Sequence, residues 1–422
     1  MPRTPGPVRS KKNLLWTSTT NFGEGLPWSV LHQLSLEFLT AVGASKTQIS
    51  STSLLHLPGT FRFAWSPIVD LLGRKRTWVW VTQLVLGAGI LAVASIVPLA
   101  RPGHLRVFWT LLAAIAVVSA THDIACDGFY LQALDRHDQA LYSGVRNAAF
   151  RIAMWVGRSL LVVLAGLTAW IWGYAAAGAL MLLVALVNAV VMPRPPEHHP
   201  QDEAAPAGQP LGELPGSAAA KRRAFLAAYR TFLTQPNAGL VLSFMLVYRL
   251  GDIMMFAMST PMLKDIGIGT AARGVLASFQ IFGFMAGAIV GGAVIARHGL
   301  ARCIVPMTYV QNFAIPLYAL LAFLKPGFWG VVPIAIIEQI ASGVGTAASS
   351  VFIMQRCRSA FSASHYAFAT SIVSLASTLS GFLSGPLNER LGHPLFFLAA
   401  FVASIPGLIL VYFVPKTPVE PT

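Results

Sequence analysis

The chain has 422 residues, of which 55% are hydrophobic and only 11% charged, with 30 Lys and Arg against 16 Asp and Glu. A soluble domain carries about 25% charged residues, and burying this much apolar surface in water needs a larger core than the length allows, so an ordinary water-soluble fold is excluded. The formal net charge of +14 does not indicate a nucleic-acid partner, because the basic residues sit between apolar stretches and form no stripe or arm of their own.

A helix that crosses a bilayer needs roughly 20 mainly apolar residues, and such stretches recur along nearly the whole chain. Arg3, Arg9, Lys11 and Lys12 precede the first stretch as in a signal peptide. Glu24, Pro27, His32 and Glu37 inside that stretch, with no clear small-residue cleavage site, predict an uncleaved first helix instead. Helices are predicted near 14–39, 48–71, 77–99, 105–133, 140–167 and 169–192, and again near 237–263, 271–296, 301–324, 328–355, 361–387 and 393–414. This predicts an all-α integral membrane protein with twelve transmembrane helices in two six-helix halves, 1–192 and 237–422, joined by a linker at 193–236. The linker begins rich in Pro, Gly and acid, which reads as flexible. It continues with Phe225, Leu226, Tyr229, Phe232 and Leu233 at helical spacing and Lys221, Arg222, Arg223 and Arg230 between them. That pattern suits an amphipathic helix on an anionic leaflet, or else a solvated linker helix.

Lys and Arg concentrate in cytoplasmic loops. With the N-terminus inside, eighteen of the 30 fall on cytoplasmic segments, seven (Lys46, Arg101, Arg106, Lys264, Arg273, Lys325 and Arg390) on the opposite loops, and five inside spans. Both termini and the linker are therefore expected in the cytoplasm. The halves look related: SPIVDLLGRKR follows span two and GAVIARHGLAR follows span eight, and a shift of 226 residues sets Gly73 on Gly299 and Arg76 on Arg302. Two repeated six-helix halves are the architecture of the major facilitator fold.

Charges at bilayer depth are costly unless they face a partner or an aqueous cavity, so the polar residues inside spans point to function. On the first helix Asn21, Glu24, Trp28, His32 and Ser35 share a face, with Pro27, Gly23 and Gly25 able to bend it. On the fourth Ser119, Asp123, Asp127 and Tyr130 align with His122 beside them, and on the fifth Ser143, Asn147, Arg151, Trp155 and Arg158 align with Arg146 offset. Arg249 and Asp252 sit one turn apart on the seventh, and Glu338, Ser342, Thr346 and Ser349 align on the tenth.

Each stripe has two readings. Asp123 and Asp127 can handle protons or substrate, or can be locked to Arg146 and Arg151 to hold helices four and five together. Arg249 and Asp252 can bind solute or neutralise one another. Glu24 has no obvious local cation, which favours a functional role. His122 suits a proton relay or a helix contact, and Trp28, Tyr130 and Trp155 can stack on a ligand or simply pack. Asp70, Gly73, Arg74 and Arg76, at the cytoplasmic end of span two, are expected to form ion pairs and a tight turn that hold an inner gate in one state. No loop offers a metal-ligand cluster, His198 and His199 lie in the linker, and Cys126, Cys303 and Cys357 have neither disulfide nor metal spacing. A membrane-embedded enzyme, a metal and a cofactor are therefore not expected.

The runs Phe22 to Pro27, Leu57 to Asp70 with Gly73 to Arg76, and Ala120 to Gly128 resemble the AmpG-like permease branch of the major facilitator superfamily. The motifs cover mainly the first 150 residues, and the second half is similar only in general architecture. The resemblance implies carriers of anhydro-muropeptides, siderophores or acetyl-CoA, driven by the proton gradient. It also implies roles for Asp123 and Asp127, for the segment from Asp70 to Arg76 and for the bend at Gly25, Leu26 and Pro27. His122 stands where many members have Gln, and Gly128 where Ala is common, so a related sugar or siderophore ligand stays open.

The resulting expectation is a secondary active transporter, monomeric and surrounded by membrane lipid in a bacterial inner membrane. It would move a small polar or anionic, muropeptide-like or amino-sugar-like solute by proton-coupled alternating access. Glu24, Asp123, Asp127 and His122 are the proton-coupling candidates. Trp28, Tyr130, Arg146, Asn147, Arg151, Arg249, Asp252 and Glu338 are the solute-binding candidates. A siderophore or CoA-ester carrier, or a sensor that binds without translocating, is the alternative.

Overall fold

Inside a bilayer every backbone N–H and C=O must find a partner within the protein, so a spanning chain is helical or a closed barrel. The computed structural model describes residues 11–71, 73–101, 104–134, 136–194, 230–357 and 362–417, and these are helical almost throughout, with no strand among them. The helices group into α1 (11–41), α2 (46–71), α3 (Lys75–Leu99), α4 (Arg106–Ala133), α5 (136–167), α6 (Trp170–Val191), α7 (Ala238–Asp265), α8 (Thr270–His298), α9 (Leu300–Leu324), α10 (Phe328–Gln355), α11 (362–391) and α12 (393–410). The last two run on from one another through Gly392, whose φ of 71° breaks the helix. Among the described residues nine helices are long and apolar enough to cross a membrane, the ninth of them containing most of α11 and all of α12. With α1 and α2, which are interrupted or more polar, that count is consistent with twelve spans.

Outward-facing apolar side chains stay bare on many of these helices, among them Val190, Phe323 and Trp329, each 76–77% exposed. In water each would forfeit about 25 cal/mol per Å² of apolar surface; against lipid tails it forfeits nothing. The cores lie inside each half. One set of buried side chains runs from Trp16 to Met192, with Phe38, Phe108 and Tyr174 at its centre. The other runs from Phe232 to Val414 around Met258, Tyr318, Phe352 and Phe397. The proposed linker helix falls mostly on 195–229, outside the described residues; Phe232, at its end, is buried in the second core.

Antiparallel succession puts residues 11, 191, 238 and 410 on one face, here the terminal face, and the α1–α2 and α7–α8 loops on the far face. Polar contacts between the halves gather toward the far face. The carboxylate of Glu37 on α1 accepts from Arg273 on α8 at 2.8 Å, with both side chains buried. Lys264 donates to the Thr40 carbonyl at 2.5 Å, Lys46 pairs with Asp265 at 3.3 Å, and Thr47 donates to Glu389 at 2.8 Å. Ser159 and Ser278 join α5 to α8 at 2.6 Å. The two backbones touch there: a Cβ on Gly166 would meet the Ala271 nitrogen at 2.4 Å. Arg273, expected in a loop, is therefore a buried helical residue. Its guanidinium donates to Glu37, the Ile268 carbonyl and Thr270.

Candidate functional site

Departures from regular α-geometry deliver polar groups to the centre of the molecule. In α1 a π-turn over Val30–Leu34 carries His32 and Gln33. In α5 a second, Val156–Leu160, carries Arg158. In α2 the 3-10 stretch Ser51–His56 ends on His56. A π-turn inserts a residue and re-aims its neighbours, and such turns recur at functional sites. These side chains, with Trp28, Phe150 and Arg151 from the first half and Arg249, Asp252, Phe256 and Phe284 from the second, line a cavity of ≈ 540 Å³ between the halves. That volume lies in the range of small-ligand pockets.

Its charges do not balance. Arg249 donates to Asp252 through Nη2 at 2.7 Å, so these two neutralise one another. The Arg151 guanidinium lies 5.1 Å over the Phe284 ring, and that of Arg158 lies 4.6 Å over Phe256 and donates to Gln280 Oε1 at 2.9 Å. Among the described residues neither Arg151 nor Arg158 has a carboxylate partner. The cavity thus holds two guanidinium charges free to meet an anion, each braced on an aromatic face.

Of the solute-binding candidates, Trp28, Arg151, Arg249 and Asp252 line this cavity, and Tyr130, Arg146, Asn147 and Glu338 do not. Tyr130 donates to the Gln139 carbonyl at 2.5 Å and is covered by Arg146 and Trp16. Glu338 is buried beside Gln339, whose Nε2 donates to it at 2.8 Å, and only Gln339 reaches the cavity. Asn147 is exposed, off the cavity. Trp155, from the same stripe, donates to Ser278 at 2.9 Å rather than facing the void.

A second cluster lies within the first half, nearer the terminal face. Arg146 donates to Asp127 at 2.6 Å and to Asn21 at 2.9 Å, and its Nη2 stands 3.9 Å from Glu24. Arg62 of α2 lies 3.8 Å from both Asp123 and Asp127. Among the described residues the ion pairing of α4 with α5 thus runs through Arg146; Arg62 takes the place expected of Arg151, which faces the cavity. Glu24, for which its own helix offers no cation, finds Arg146 one helix away. One oxygen each of Glu24 and Asp123 is buried without a hydrogen-bond partner. His122 is fully buried, with Cys126 Sγ 3.3 Å from its Nε2 and Asp123 4.0 Å from its Nδ1. None of Glu24, His122, Asp123 and Asp127 lines the central cavity.

At the gate segment Gly73 takes a φ of 76°, the left-handed turn expected of it. Arg76 donates to the Ala189 and Met192 carbonyls at the end of α6, a helix C-terminus that attracts cations. Arg74 is exposed just before α3. The side chain of Asp70 lies outside the described residues.

The Major Facilitator Superfamily model matches residues 15–366. The chain belongs to that superfamily. It is similar to the anhydromuropeptide permease of Escherichia coli K12, 25% identical over 92% of this chain and 77% of that protein. It is also similar to a putative transporter, AmpG 4, of Rickettsia conorii, 22% identical over 92% of this chain and 93% of that protein. Among solved structures it resembles a bacterial homologue of the human lysosomal transporter Spinster in an inward-facing, unoccupied conformation, with TM-score 0.68, 15% identity and 97% of each chain covered. It likewise resembles a peptide transporter of the POT type, with TM-score 0.67, 14% identity, and 98% of this chain and 96% of that one covered. This facilitator is a multi-pass membrane transporter, not an enzyme, and the resemblance to AmpG-like permeases seen in its motifs holds over most of its length.

Two features of the facilitator's site escape periodicity. His56 lies in a 3-10 stretch, where the helical wheel does not apply. Glu37 and Arg273 are far apart in the chain and meet only when the halves close; a carboxylate inside an apolar span was the one available signal.

Proposed function

We propose that this facilitator carries a small anionic solute of the muropeptide or amino-sugar class across a bacterial inner membrane, by alternating access coupled to protons. The observation that carries the anionic preference is the pair of cavity guanidiniums, Arg151 and Arg158, without carboxylate partners. Guanidinium matches carboxylate and phosphate in charge and geometry, and Trp28, Phe150, Phe256 and Phe284 offer ring faces beside it. The name of the Escherichia coli relative supports the muropeptide class. With both termini in the cytoplasm, as the loop charges favour, the far-face contacts correspond to a periplasmic seal and the conformation to an inward-open one.

Proton coupling is assigned to the cluster of Glu24, Asp123 and Asp127. Glu24, Asp123 and Asp127 share the guanidiniums of Arg62 and Arg146, so a proton on one of the three carboxylates would change the pairing. Taking up or losing that proton changes how α1, α2, α4 and α5 hold together, the four helices of the first half that would move relative to the second. Uptake of radiolabelled anhydromuropeptide into proteoliposomes tests the reading. It should require an inward pH gradient and compete with unlabelled muropeptide. Ligand binding in detergent with no uptake under any gradient would make the protein a sensor instead.

A further inference from the structure

Arg158 belongs to the first half, yet the two groups that hold its guanidinium belong to the second. It lies 4.6 Å over the Phe256 ring of α7, and its Nη2 donates to Gln280 Oε1 of α8 at 2.9 Å. Gln280 is held in turn. Its Nε2 donates to the Tyr318 hydroxyl of α9 at 3.1 Å. A guanidinium only donates, so Arg158 takes the amide oxygen and the amide nitrogen is left for the hydroxyl. The amide is thus oriented from both ends. Gln280 is 3% exposed and Tyr318 1%, and neither lines the cavity. Trp155 and Ser159 tie α5 to α8 beside this chain, donating to Ser278 at 2.9 Å and to the Gly274 carbonyl at 2.7 Å.

Two consequences bear on the solute. A free arginine loses rotamer freedom when it grips a ligand, whereas Arg158 has given up that freedom before the ligand arrives. The acceptor is also an amide and not a carboxylate. The same cavity shows the contrast, because Asp252 holds Arg249 at 2.7 Å and cancels its charge. Gln280 aligns a guanidinium and leaves its charge for an incoming anion.

We propose that Gln280 is a positioning residue for the transported anion: acting from the opposite half and fixed by Tyr318, it aims the Arg158 guanidinium into the cavity without neutralising it. The inference rests on the reading of this cavity as an anion site, and its test separates the two.

Binding to purified full-length protein is measured at pH 8 for an anhydromuropeptide, for N-acetylmuramic acid and for the uncharged methyl ester of that acid. In Gln280→Leu the affinity for the two anions should fall about twofold to tenfold, the cost of ordering one long side chain on binding, while affinity for the ester is kept. Gln280→Glu should lose more, since its carboxylate would pair with Arg158 as Asp252 pairs with Arg249. Tyr318→Phe, which removes only a hydroxyl, should show a smaller loss confined to the anions. The deciding readout is a double-mutant cycle: in an Arg158→Gln background, Gln280→Leu should cost nothing further. A residue that merely packs α5 against α8 would weaken acid and ester alike, and its loss would add to that of Arg158→Gln; either result overturns the proposal and leaves the muropeptide reading standing. If Gln280→Leu is not monodisperse on gel filtration, Tyr318→Phe takes its place in the cycle. A wild type that binds acetyl-CoA and no muramic ligand would remove the muropeptide reading, and the same cycle on acetyl-CoA then decides the role of Gln280. Equal wild-type affinity for acid and ester would overturn the anion site and this proposal together.

Discussion

Arg151 and Arg158 differ from Arg249, the third guanidinium of the cavity, in having no carboxylate partner among the described residues, and that difference predicts what their removal does. Arg151→Gln and Arg158→Gln take away one charge-assisted contact each, worth about 1.5–3 kcal/mol, so each should weaken solute binding roughly tenfold to a hundredfold. Stability should barely change in Arg151→Gln, whereas Arg158→Gln also strands the buried Gln280 amide oxygen that Arg158 donates to and should lower the melting temperature. Calorimetric titration with an anhydromuropeptide checks the first outcome and thermal unfolding the second; unchanged affinity in both variants would place the solute elsewhere. The carboxylates of the first half make the opposite prediction. Asp123→Asn together with Asp127→Asn removes two of the three carboxylates around Arg62 and Arg146 without touching the cavity. Uptake driven by a pH gradient should be lost while binding in detergent stays near the wild-type value. Uptake that still follows the gradient would show that these carboxylates do not carry the proton.

At the scale of elements, what was legible in the sequence follows from what a helical wheel can register. Apolar length announced the spans, and the stripes on α1, α4, α5, α7 and α10 marked where charge enters the membrane. Direction was harder to read. Tyr130, on the α4 stripe, and Arg146, offset from the α5 stripe, turn toward one another inside the first half. The π-turns at Val30–Leu34 and Val156–Leu160 rotate everything beyond them, so Arg158 reaches the cavity while Trp155, one turn earlier, bonds α8. Contacts between halves were out of reach because they depend on the state of the molecule. The pairing of α1 with α8 through Glu37 and Arg273 is of that kind and can be tested. Breaking a buried ion pair by removing one partner costs about 3–5 kcal/mol. Glu37→Gln should lower the melting temperature and loosen the far face, because Arg273 stays buried with its charge unanswered. Spin labels at Leu167 and Lys325, at the far ends of α5 and α9, should then report a longer and broader distance distribution than in the parent protein. An unchanged distribution would show that the pair does not hold the halves together.

For the whole molecule, the argument reduces to where the halves touch. Each carries its own apolar core, so they can move as bodies without unpacking, whereas polar bonds join them toward one end. Such a surface opens at modest cost: the bonds given up between halves are replaced by bonds to water. Alternating access then requires that the far-face contacts break in every cycle. Ser53 of α2 and Gly381 of α11 lie across that seam, and a Cβ on Gly381 would come within 3.0 Å of the Ser53 Cβ. A disulfide needs roughly 3.5–4.5 Å between Cβ atoms, so Ser53→Cys with Gly381→Cys should cross-link after a small adjustment. The native cysteines, Cys126, Cys303 and Cys357, are buried or half-buried and lie well away in the chain. Oxidation of the double variant should abolish uptake in proteoliposomes while the cavity still binds solute from the terminal face, and dithiothreitol should restore transport to the level of the reduced variant. That reduced level is the proper reference, since both positions line the cavity and the substitutions alone can alter affinity. Transport that continues at full rate with the cross-link formed would mean that the halves need not part at the far face, and the rocking mechanism would fail with it.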